Sequence, residues 1–92
     1  MSDVEKEIDA LERKLVAKTR EIEALVAAEQ NLSKPNAMES SDYARLQSYV
    51  EELIYRWQEA KVRSGDNPET PVNRLIAERE EIAEQIVALQ VR

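Results

Sequence analysis

The side chains of this 92-residue chain that could do chemistry are carboxylates and tyrosines, because it contains no histidine and no cysteine. Without those two residue types there is no ordinary zinc ligand set, no imidazole base and no Ser-His or Cys-His nucleophile pair. The densest carboxylates are Glu78, Glu80, Glu81 and Glu84. Their short, uneven steps spread them around a helix instead of converging them, and they lack the turn glycine and regular ligand spacing of a calcium loop. Glu51, Glu52 and Glu59 have no spacing that would set an acid against a base. Gly65 is the only glycine, so no phosphate-cradling loop exists. These observations predict a protein that is not an enzyme and that uses no cofactor or metal.

Charge narrows the partners. Nineteen acids against 13 bases leave a net charge of −6, which argues against direct binding of nucleic acid or an anionic membrane, since phosphate contacts need clustered Lys and Arg. No apolar run has signal-peptide length, and none approaches the roughly 20 residues needed to span a bilayer. The expected location is cytoplasmic.

The elements that must position any functional surface are helical. Ala, Leu, Ile, Glu, Gln, Lys and Arg dominate, while proline occurs three times and phenylalanine never, the composition of long helices. Val4, Ile8, Leu11, Leu15, Lys18, Ile22, Leu25, Glu29 and Leu32 step by alternating fours and threes, a heptad stripe that keeps one face against other helices. Ser2 and Glu5 fit a capping box at its start, and the Ser33–Asn36 segment around Pro35 should stop it. A second stripe is Tyr43, Leu46, Val50, Leu53, Trp57 and Ala60, with Ser40, Ser41 or Asp42 as cap and Gly65 suited to a left-handed end. A third is Val72, Leu75, Arg79, Ile82, Ile86 and Leu89, introduced by Thr70-Pro71 and widened by Ile76, Ala83 and Val87. The prediction is an all-α single domain over residues 1–92: a three-helix antiparallel coiled-coil-like bundle with helices over about 3–32, 42–64 and 71–91. Short connections should fold helix two back on helix one and helix three back on helix two, in up-down-up order, with part of the long first helix projecting.

A projecting stripe wants a partner. Ile8, Leu11, Leu15, Ile22 and Leu25 are therefore candidate partner-binding residues, with a homo-oligomer the expected outcome. Tyr55 and Val62 share a face of helix two away from its stripe and form a second candidate anchor. Lys18, Glu29 and Arg79 interrupt the seams, where charged residues set register, or else carry their charges to solvent along apolar stems. Ala10, Ala17 and Ala24 form a ridge of small residues at heptad spacing away from the seam, with Val16 on another part of that helix.

Together these features predict a non-enzymatic protein-interaction module: a small helical adaptor, assembly factor or chaperone-like subunit that self-associates or binds another protein. The alternative is an acidic inhibitor of the kind phages encode, with Glu78, Glu80, Glu81 and Glu84 occupying a nucleic-acid-binding groove on another protein.

Overall fold

The computed structural model describes residues 2–91. It contains three α-helices, α1 over Asp3–Glu29, α2 over Ser40–Ser64 and α3 over Pro71–Gln90, with a 3-10 turn over Pro35–Ala37 between the first two. The all-α class and the helix count are as the periodicity predicts.

Local chemistry accounts for most helix ends. The Ser2 hydroxyl accepts a hydrogen bond from the Glu5 N–H at 3.1 Å, and the Thr70 hydroxyl does the same for Asn73 at 3.1 Å with Pro71 in the first turn. Gly65 closes α2 at φ 75, a left-handed conformation that costs glycine nothing. Two ends differ from expectation. Helix α1 stops at Glu29, before Pro35, because Asn31 adopts φ 57. The Leu32 N–H then bonds the Ala27 carbonyl and the Asn31 N–H bonds the Ala28 carbonyl, a Schellman closure that satisfies the last orphan carbonyls. Helix α2 starts from Glu39, which makes no side-chain cap bond. Ser40, Ser41 and Asp42 thus lie within the first turn, where Asp42 still favours the positive helix end.

The direction of the third helix also differs from the up-down-up order, in which helices one and three would run the same way. Lys18 of α1 bonds Glu78 of α3, whereas Leu11, earlier on α1, shares a groove with Leu89, later on α3. Helices α1 and α3 are therefore antiparallel and form the principal packed pair. Helix α2 lies crosswise. At 1.5 Å per residue its 25 residues span about 37 Å, which matches the second dimension of a molecule measuring 43 × 35 × 18 Å. Three such helices lying side by side would make a slimmer rod.

The crossing puts the core at one end. Ile22, Val26 and Ala27 from the last turns of α1, Leu46, Val50, Ile54 and Trp57 from α2, and Ile76 from α3 form one buried cluster. The predicted stripe of α2 is its buried face, extended by Ile54. On α3 the widened stripe splits, since Ile76 is 1 % exposed and Val87 55 %. Beyond α2, the first half of α1 and the last half of α3 continue as a two-helix arm that buries Ile86.

Candidate partner-binding surface

The arm carries most of the predicted seam. Ile8, Leu11 and Leu15 of α1 and Ile82 and Leu89 of α3 are only half-buried there, because each is covered by one helix instead of two. Ile22 does not belong with them: it is fully buried in the core, so it is unavailable to a partner. Leu25 is half-buried.

Two polar seam residues tie α1 to α3. The Lys18 ammonium contacts Glu21 at 2.8 Å and Glu78 at 2.9 Å, and these charge-assisted hydrogen bonds hold its pKa above the ordinary lysine value. Arg79 donates from Nε to the Thr19 hydroxyl at 2.9 Å, and Thr19 in turn donates to the Leu15 carbonyl. Both links fail if α3 slips along α1. Glu29 does not join them: it is exposed at the end of α1, past the reach of α3.

Helix α2 is fastened to the pair at two points. The Tyr43 hydroxyl donates to Glu23 Oε1 at 2.7 Å, and the Gln58 amide donates to Glu80 Oε2 at 3.0 Å. Heptad spacing then locates the edge of its cover. Val16 lies seven residues before Glu23 and Val87 seven after Glu80, hence on the same faces one heptad nearer the arm tip. They are 52 % and 55 % exposed. This apolar strip continues the face that α2 covers elsewhere, and the exposed charged residues one helical turn from Val16 and Val87 are of both signs: Glu12, Arg13 and Arg20 on α1 and Glu84 on α3.

Tyr55 and Val62 stand apart from the arm, on the outer face of α2, at 56 % and 89 % exposure. The Tyr55 hydroxyl donates to Glu59 at 3.0 Å, a bond that raises its pKa above the ordinary tyrosine value. The four acids of α3 do not form one face. Glu78 and Glu80 are bonded to Lys18 and Gln58 on opposite sides of the helix, and Glu81 and Glu84 are exposed. Among the described residues, no group of three or more carboxylates is placed to hold a metal ion, and no helix is long and apolar enough to cross a membrane.

Two features escape the sequence. Glu23 is 4 % exposed, although it flanks the seam residue Ile22 and reads as a solvated glutamate; only the crossing of α2 buries it. Val16 and Val87 read as a stray residue and a widened core, and both are exposed on the arm beyond the cover of α2.

The fold thus defines a small all-α scaffold, a cross-braced core with an antiparallel two-helix arm. Compared with known protein families, curated proteins and solved structures, the chain matches none.

Proposed function

We propose that this protein is a non-enzymatic interaction module that receives an amphipathic helix of a partner protein on the face of the α1–α3 arm. The carrying observation is that α2 covers this face at one end and leaves its apolar continuation, Val16 and Val87 with half-buried Ile8 and Leu15, open at the other. A third helix would complete along the arm the layer that α2 supplies at the core. Self-association is the rival occupant. The charges around Val16 are of both signs, Glu12 with Arg13 and Arg20, so they do not decide between the two occupants.

The test uses a synthetic helical peptide with a leucine stripe and lysine flanks, titrated into the whole chain and followed by amide NMR shifts and light scattering. Shifts centred on Val16, Ala83 and Val87, lost in the V16D/V87D double variant and unchanged in Tyr55→Ala, support the reading. A wild-type dimer that V16D/V87D makes monomeric would overturn it in favour of self-association. Binding that persists in V16D/V87D but disappears when Glu81 and Glu84 become glutamine would point instead to an acidic decoy.

A further inference from the structure

A second surface, independent of the arm, lies where α1 ends. A groove of about 730 Å³ runs between the last turns of α1, the loop that follows and the first turn of α2, within the range of small-molecule sites. Its wall is mainly apolar and low, formed by Ala24, Ala27, Ala28, Leu32 and Pro35. Glu23 and Tyr43 stand within it, with Arg20 and Lys34 among its polar residues.

Glu23 is the unusual member. It is more than nine-tenths buried, yet no Lys or Arg among the described residues pairs with it. Tyr43 satisfies Oε1. Oε2 has no hydrogen-bond partner, and no unpartnered side-chain oxygen is sealed from solvent, so Oε2 reaches the opening that Glu23 lines. A carboxylate accepts several hydrogen bonds and is costly to hold out of water without a cation. The last turn of α1 carries no basic residue, so no cation of that turn competes for the site.

We infer that this groove binds a hydrophobic organic cation, its ammonium donating to Glu23 Oε2 and its hydrocarbon body lying along Ala24, Ala27, Ala28 and Leu32. Arg20 and Lys34 are exposed, so bulk water screens their charges, whereas Glu23 has one oxygen held by Tyr43 and meets solvent only through the groove. Small side chains give the ligand room. Tyr43, by holding Oε1, leaves the other oxygen as the acceptor.

The experiment compares n-octylammonium, 1-octanol and octanoate, probes that share a chain and differ in the head group, by amide NMR titration of the whole protein. The expected result is octylammonium bound about tenfold more tightly than octanol, as a charge-assisted bond exceeds a neutral one, with shifts at Ala24, Ala27 and Leu32. Glu23→Gln keeps the shape and an acceptor for Tyr43, and should reduce that ratio to near one. Equal affinity of the wild type for octanol and octylammonium would overturn the inference, leaving only an apolar crevice. Tightest binding of octanoate would overturn it in favour of an anion site at Arg20 and Lys34. Absence of binding by octylammonium, or shifts confined to the arm, would also overturn it. The wild-type series decides without any variant.

Discussion

Truncating Ile76 and Val87 tests whether the core lies under the crossing helix. Both widen the apolar stripe of α3 in the same way, and both lose carbons when changed to alanine. Ile76 is 1 % exposed, within the cluster that includes Val50, Ile54 and Trp57. Removing three buried carbons forfeits about 2.4 kcal/mol at about 0.8 kcal/mol each. The cavity left under α2 adds to this, for a total near 3 kcal/mol. A 92-residue domain has roughly 5 to 14 kcal/mol of stability in all, so Ile76→Ala removes a large part of it. At about 4 to 8 °C per kcal/mol, the Tm should fall by about 12 to 24 °C. Val87 is 55 % exposed, and its truncation should change stability by no more than about 0.5 kcal/mol. Urea denaturation followed by helical circular dichroism and by the fluorescence of Trp57 supplies two probes, and their coincidence checks two-state behaviour. Similar losses for the two variants, or a loss below about 1 kcal/mol for Ile76→Ala, would refute the crosswise placement of α2.

Other consequences follow from single contacts. Tyr43→Phe leaves the buried carboxylate of Glu23 without its donor and should cost about 1 to 3 kcal/mol. The hydrogen bond to Glu23, and then burial, raise the Tyr43 pKa above 10.0. The stability it contributes is therefore fully present below the unfolded tyrosine pKa and lost as pH rises through the higher folded value. Urea midpoints measured across a pH series should separate the wild type from Tyr43→Phe in neutral solution, with the wild type's advantage lost at high pH; a constant gap would count against the bond. Gly65→Ala should destabilise by about 1 kcal/mol through the left-handed conformation alone, since an added Cβ meets nothing within 4 Å at φ 75. A thermal melt of that variant indistinguishable from wild type would contradict the assigned helix end.

Much of the local structure was legible. Ser2, Thr70-Pro71 and Gly65 act where their chemistry places them, because a cap depends on a few neighbouring dihedrals and one hydrogen bond. Pro35 disfavours helix at the residue before it, Lys34, but does not say how much earlier a left-handed residue such as Asn31 ends the helix. The candidate surface was legible in part. Ile8, Leu11 and Leu15 stand in the arm, whereas Ile22 belongs to the core and Glu29 is exposed at the end of α1. Tyr55 and Val62 are exposed as their helical face predicts, on a side of the molecule remote from the arm seam.

The sequence by itself determined the three helices, the turn between α2 and α3, and the inward stripe of α2, because those properties follow from period, propensity and capping within a few turns. At the core end of α1, by contrast, the buried residues are Ile22, Glu23, Val26 and Ala27, with Leu25 half-buried and Glu29 exposed. Tertiary structure decided the rest. A heptad stripe reads the same toward a parallel or an antiparallel neighbour, so it does not tell whether α3 returns along α1 or α2 does. Lys18 with Glu78, Arg79 with Thr19, and Tyr43 with Glu23 join positions distant in the chain. Their arrangement accompanies the crosswise α2, and that crossing buries Glu23 and Ile76 while leaving Val16 and Val87 open.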